Sequence, residues 1–570
     1  MTMTSTRRFF LQGTAVTGVA AAIAGCSQQS SDEQAGQNSE ANSKAADDQL
    51  ALPSTGWERA EYDEVAEGGT LNLVINQIPA NWNNSHPDGN EVSLTWIYEA
   101  TGGGLTYEEN GTPKLDPNYI ESAELTSEDP QIVTVKYNEK AKWDNDTPVV
   151  VDDFISQWKA MTAPEDAGFS VTSTQGISLI SDIRKKSDYE AEIEFSSAFA
   201  DWMGYLYPSM PASASATPEA WNDAHKTEPQ PGNGPFKVAN VDATGGVVTL
   251  ERNPLWWGRT PKLDRIIFKV TTQQNMPQSF ANSELDAIDI ADGDTYGQAK
   301  TRSDAVMQKS NGRTWTHLTI NTTGADGVLG DVKVREAIFR GVNRNAVASA
   351  VVNPLEAPVI DQNNYIYMPG QAGYEDSFDG KLTFDQEAAK KVLDDAGWAL
   401  NGDVREKDGK QLAFSIVIPA ETKSNEDRAR QVMTNLNEIG FKVDLQTVPS
   451  DKYFTDYVLP KTYSLVTFSW RGTRLPELTG TNIFLPESAQ NYTNFKDESL
   501  VDLDAKVQSE MDKEERRKLA NEFSTKVANE YTVLPFYATP VVFAVKEGLV
   551  NYGAAQFESY DYTAVGYKKA

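Results

Sequence analysis

The chain has 570 residues and a net charge of −31, from 82 acids against 51 Lys and Arg. By length alone it holds about three or four domains, and its acidity disfavours nucleic acid and anionic lipid surfaces as partners. The single cysteine, Cys26, excludes an internal disulfide and a thiolate metal cluster.

The chain opens with Arg7-Arg8, an apolar run from Ala15 to Ala24, and Ile23-Ala24-Gly25-Cys26. A basic start, a short apolar run and small residues mark an export signal, not a folded element. The run is shorter than the roughly 20 residues that span a bilayer. The tetrad resembles the lipobox of bacterial lipoproteins, which implies cleavage after residue 25 and lipid on the Cys26 thiol. The alternative is that Cys26 is an ordinary small residue of a signal peptide. Thr6-Arg7-Arg8-Phe9-Phe10-Leu11 resembles a twin-arginine signal, with general export left open. From Ser27 onward Ser, Gln, Asn, Ala and acids dominate without apolar periodicity. Such a segment cannot offset its ordering entropy by burial, so 26–66 reads as a flexible tether.

Thr70-Leu71-Asn72-Leu73-Val74-Ile75 is the first predicted strand. Strands and helices then alternate with Gly, Pro and Asn turns, without a short internal repeat. The clearest local pattern lies between 384 and 470. Asp385 is the predicted N-cap of a helix with Ala388, Ala389, Val392, Leu393 and Ala396 on its apolar face, ended by Gly397. A strand follows over 412–418. A second helix starts near Ser424 and buries Val432, Met433, Leu436 and Ile439 before Gly440. Strands over 441–445 and 465–469 complete a strand–helix–strand unit of an α/β domain with a largely parallel sheet. Trp470-Arg471-Gly472-Thr473 stands at the carboxyl end of the last strand, where open α/β sheets bind ligands.

Catalytic chemistry has no positive signal. His86, His225 and His317 are far apart and lack metal spacing, so each reads as a structural or surface histidine. No HExxH, GxSxG, Walker-type loop or strand-linked GxGxxG occurs. Paired carboxylates for glycoside hydrolysis cannot be picked out by eye among 82 acids. No cofactor and no metal are expected.

Several segments, in order, resemble the extracellular solute-binding proteins of ABC importers, peptide/nickel type (family 5). Tyr98-Glu99 with Gly104-Leu105-Thr106-Tyr107 resembles the early YEGLxxY segment. Ala141-Lys142-Trp143-Asp144-Asn145-Asp146-Thr147-Pro148, Asp152-Asp153-Phe154 and Trp158 resemble the signature KWSDGTPxTAxDFxxSW, with Asn145-Asp146 and Val151 as departures. Pro231-Gly232-Asn233-Gly234-Pro235-Phe236 is similar to GTGPY, and Glu251-Arg252-Asn253-Pro254-Leu255-Trp256-Trp257 to ERNPxYW, followed by Pro261-Lys262-Leu263-Asp264. Asn321, Val334-Arg335-Glu336-Ala337-Ile338, Asn343-Arg344, Ala396-Gly397-Trp398 and Leu534-Pro535 complete the series. Most of these read as scaffold: Trp143 and Trp158 as core aromatics, Asn233-Gly234-Pro235 as a turn, Glu251-Arg252-Asn253 as a strand-end tie.

The resemblance implies an α/β, two-lobed periplasmic-binding-protein-like fold (type II, cluster C) with an extra subdomain and a ligand cleft between lobes. Lobe I would comprise 67–110, 226–320 and 531–570, with the extra subdomain at 111–225. Lobe II would span 321–530. Such a protein closes on its ligand through hinge strands.

In peptide-binding members of the family the strand after the second helix ends in Trp-x-x-Asp, whose Asp pairs with the ligand's α-ammonium. Here Trp470 is kept and Thr473 replaces the acid, with Arg471 between them. Either another acid such as Glu477 takes the ammonium, or the ligand has no free amine there: a blocked peptide, an anion-bearing ligand using Arg471, or an oligosaccharide. The plain alternative is that Arg471 points to solvent. Trp82 and Asn83, in the amide-rich loop Asn81-Trp82-Asn83-Asn84-Ser85-His86, are further ligand candidates, against a packed loop. Asn491 and Tyr492 are the last candidates.

The expectation is therefore a non-enzymatic, lipid-anchored, extracytoplasmic binding subunit, monomeric, that captures oligopeptides for an ABC permease and ATPase complex. Oligosaccharide or modified-peptide binding is the runner-up. A secreted carboxylate-dependent hydrolase is the alternative of a different class.

Overall fold

The computed structural model describes residues 52–109, 112–420 and 422–569. Cys26, the export signal and the tether as far as residue 51 lie outside the described residues. Two compact units divide the chain, one of 53–310 with 541–570, the other of 311–540. The chain passes between them at 310/311 and 540/541, inside the long strands Ala305–Ile320 and Val533–Lys546, not at the expected 320/321 and 530/531.

The unit of 53–310 and 541–570 contains two four-stranded sheets. In the first, Thr70–Ile75 pairs in parallel with Arg265–Val270, which continues antiparallel to Val247–Arg252 and Phe236–Asp242. Leu71, Leu73 and Ile75 alternate inward along the first strand and pack with Leu94 and Ile97 of the helix Val92–Thr101, as the two-residue period of a strand requires. The second sheet, wholly antiparallel, has the order Ile120–Glu128, Gln131–Tyr137, Glu190–Phe195, Ile180–Lys185. It lies within the stretch 111–225.

The motif residues of this unit tie backbone to backbone. Trp143, 1% exposed, donates its indole N–H to Asp153 Oδ2 at 2.9 Å, and the same carboxylate accepts from Val150 N and Ala212 N. Trp158 is only half-buried, so it is not the core aromatic expected, and its buried indole N–H has no partner among the described residues. Gly232 and Gly234 lie against the end of the helix Val92–Thr101; a Cβ on Gly234 would stand 2.5 Å from the Thr101 carbonyl carbon. Arg252 donates to the Leu263 and Lys262 carbonyls, fastening the strand end.

Residues 52–66 correct the expected tether. Trp57 and Val65 are buried, and Trp57 packs on Tyr560 with centroids 5.1 Å apart. Backbone bridges join Thr55 to Ala555 and Val65 to Lys568. Two apolar side chains within a polar stretch supply the burial that averaged composition hides.

In the unit of 311–540, Ala413–Pro419 lies between Lys442–Val448 and Leu465–Arg471, parallel to both. The helix Lys423–Asn437 connects the first two strands and buries Ala429, Val432 and Leu436, while Met433 is half-buried. Leu465–Arg471 then pairs antiparallel with Thr314–Ile320. The helix Gln386–Asp395 is capped by Asp385, whose carboxylate accepts from Ala388 N at 2.8 Å, and Gly397 follows it at φ +84°. A left-handed residue at that place favours glycine. Arg335 and Arg344, both buried, donate to backbone carbonyls of Leu329, Gly330, Glu530, Gln362 and Phe536.

Candidate ligand-binding site

The Trp470 strand, Leu465–Arg471, leaves the two neighbours of its parallel set on one side and meets the strand Ala305–Ile320 on the other. The register pairs Trp470 with Trp315, Phe468 with His317 and Val466 with Thr319. Alternation puts these residues on one face. Ser469 and Arg471, both exposed, take the other face, opposite Thr316 and Thr314. Trp470 and Arg471, neighbours in sequence, thus point to opposite faces of the sheet.

Tyr492 joins Trp470 from a later loop. Their ring planes are 5° apart with centroids at 5.6 Å, an arrangement contributing about 1 kcal/mol beyond area burial. His317 lies 6.3 Å from Trp470 with ring planes 16° apart, and meets Phe468 edge-on at 4.4 Å. Asn491 sets the loop. Its amide donates to the Leu485 and Phe495 carbonyls and accepts from Thr493 N and Oγ1. Asn491 therefore positions Tyr492, and its amide is already engaged within the loop.

His317 is fully buried; Thr319 Oγ1 lies 3.0 Å from its Nδ1, while its Nε2 has no partner among the described residues. Burial, reinforced by the Arg428 charge, pushes its pKa down to about 3. The ring is neutral at any physiological pH. Burial likewise pushes the Tyr492 hydroxyl up to about 12.

Gly472 and Thr473 turn the chain out of the strand. Gly472 N donates to the Arg313 carbonyl at 2.8 Å, and Met368 lies so close that a Cβ on Gly472 would stand 2.3 Å from its Cγ. The Thr473 hydroxyl is 2.7 Å from Thr479 Oγ1 and accepts from Leu475 N at 3.2 Å. That bond to the backbone two residues on closes the turn ahead of the helix Pro476–Asn482, a local role that Thr and Asp share. Glu477, the alternative acid, accepts the Tyr367 hydroxyl at 2.9 Å, and its charge also acts on Lys513.

Trp82 and Asn83 belong to the unit of 53–310 and 541–570. Trp82 is 1% exposed and part of that unit's core, with its N–H on the His225 carbonyl and its carbonyl accepting from Tyr98. Asn83 donates to the Trp221 carbonyl and accepts from Ser85 N. Both close a loop; the amides expected for a ligand satisfy the loop's own backbone. Trp315, His317 and Arg313 were missed as site neighbours, because the cross-strand register that joins them to Trp470 is non-local. The alternation Trp315-x-His317 was the one visible signal.

Among the described residues no group of His, Cys, Asp and Glu has metal-holding geometry, and no helix is long and apolar enough to cross a membrane.

This fold is that of the two-lobed periplasmic binding proteins. A periplasmic EDTA-binding protein, EppA, superposes with a TM-score of 0.82 at 23% identity, over 91% of this chain and 99% of its own. The oligopeptide-binding protein AppA from Bacillus subtilis, solved with a nonapeptide, gives 0.71 at 20% identity over 89% and 100%. The oligopeptide-binding protein OppA of Mycobacterium tuberculosis is 31% identical over 509 residues, 88% of this chain and 85% of the relative. The model of the bacterial extracellular solute-binding proteins, family 5 Middle, matches residues 114–492. The chain belongs to family 5 of these proteins, the solute-binding subunits of ABC importers.

Proposed function

We propose that this chain captures oligopeptides outside the cytoplasm and presents them, chemically unchanged, to an ABC permease. The observation that carries this reading is the 31% identity to an oligopeptide-binding protein across 88% of the chain. A second line of support is the stacked pair Trp470 and Tyr492 at the carboxyl end of a parallel strand set. Flat aromatic surface suits side chains and peptide planes of varied sequence, because it asks for area and not for a fixed hydrogen-bond pattern. In this reading the lipid on Cys26 keeps the protein beside its permease.

Calorimetry with a mixture of synthetic peptides of five to ten residues tests the proposal, alongside a cleavage assay on the same mixture. Saturable binding with every peptide recovered intact is expected. Cleavage, or no heat with peptides against clear heat with oligosaccharides, would overturn it.

A further inference from the structure

The two strands that pair at Trp470 carry no acidic residue. The chain carries 82 acids, yet none occurs between Asp304 and Asp326 or between Asp456 and Glu477. These two stretches contain the paired strands of the site. Arginines stand at the end of the Trp470 strand. Arg313 lies across the ladder from Gly472, its carbonyl accepting the Gly472 N–H, so alternation places it on the face of Trp315 and Trp470. Arg474 follows Thr473 directly. Both arginines are half-buried, and among the described residues no carboxylate lies within 4.0 Å of either.

A half-buried guanidinium without a counter-ion leaves a strong donor fork unanswered by charge, and a carboxylate matches that fork in two parallel hydrogen bonds. An ammonium would find the reverse. The Thr473 hydroxyl is engaged by Thr479 and Leu475, and Glu477 is engaged by Tyr367. Neither group is left unengaged to pair with a desolvated cation, and an unpaired one is costly.

We infer that Arg313 and Arg474, beside Trp470, form a subsite for a carboxylate of the captured peptide. This rests on the oligopeptide reading above and adds the charge of the preferred ligand. The carboxylate has two sources, an Asp or Glu side chain or the free C-terminus.

The test is competitive retention of synthetic nine-residue peptides on the immobilised full-length protein, read by mass spectrometry. Each sequence is supplied with neutral or Asp-containing side chains, with an amidated or free C-terminus, and with a free or acetylated N-terminus. Carboxylate-bearing versions should be retained at least tenfold better than their neutral, amidated counterparts at low salt. The arm that carries the preference, side chain or C-terminus, names the source. Arg313→Gln/Arg474→Gln should reduce the preference below threefold, and Arg313→Lys/Arg474→Lys should keep part of it. Melting curves verify folding, and the single change Arg474→Gln should move the preference in the same direction. Retention that ignores the carboxylate, that favours free amines alone, or that is unaltered in the Gln variants would overturn the subsite. Retention of no peptide would overturn the oligopeptide reading together with it, a result distinct from charge-blind retention.

Discussion

Trp470 and Tyr492 lie nearly parallel, 5° between planes and 5.6 Å between centroids, held by the Asn491 loop on one side and the Trp315 strand on the other. In the proposed site the pair supplies the flat aromatic surface. Tyr492→Ala removes one ring and should weaken peptide binding about tenfold, while Tyr492→Phe keeps the ring and should change it less than threefold; a tenfold change is about 1.4 kcal/mol. Trp470→Ala also opens a cavity and should cost about 3 kcal/mol of stability. Calorimetry with the melting temperature measured in parallel separates the two effects; full affinity in folded Tyr492→Ala would remove the stack from the site.

Thr473→Val should destabilise by about 1 kcal/mol, because the Leu475 N–H loses its acceptor. Thr473→Asp keeps that acceptor and adds a negative charge. It should shift retention toward peptides with a free N-terminus over their acetylated versions. Denaturant unfolding reads the first change and paired-peptide competition the second.

His317 makes stability depend on pH with a defined sign. Its folded pKa lies near 3, below the unfolded value of 6.5. Below pH 6.5 the unfolded chain takes up a proton that the folded one refuses, so stability falls as pH falls. The slope from this group alone should approach about 1.4 kcal/mol per pH unit between pH 6 and 4, with the full contribution present above 6.5. His317→Phe should flatten that part of the profile in denaturant titrations. Proton NMR should show the wild-type ring neutral at pH 5.

Gly234→Ala tests the scaffold reading of the glycine-rich turn. A Cβ there meets Thr101 and Ala100 backbone atoms at 2.5 and 2.8 Å, which flexible side chains cannot relieve. Destabilisation of about 2 kcal/mol or more is expected, with ligand affinity at low temperature unchanged.

The strand–helix–strand unit was legible because its signals are local. Asp385 caps as its position suggested, Gly397 ends the helix, and Val432 and Leu436 are buried at helical spacing. Trp470 at the end of its strand followed from the same pattern. What escaped was non-local. Nothing near Trp470 in sequence announces that Trp315 pairs with it, or that Tyr492 stacks on it. Asn83 and Asn491 looked like ligand donors because amides suit ligands. The same amides suit a tight loop's own carbonyls, and the loop is nearer. The end of the tether is not legible in the sequence, because Trp57 and Val65 are isolated apolar residues whose partners, Tyr560 and Lys568, lie at the far end of the chain.

Native mass spectrometry of the protein purified from its own host, released gently and sprayed without unfolding, tests the central claim most directly. The account predicts bound species whose masses and fragments are peptides, lost when the protein is unfolded and refolded without ligand. A bound sugar or metal chelate with no peptide would contradict it.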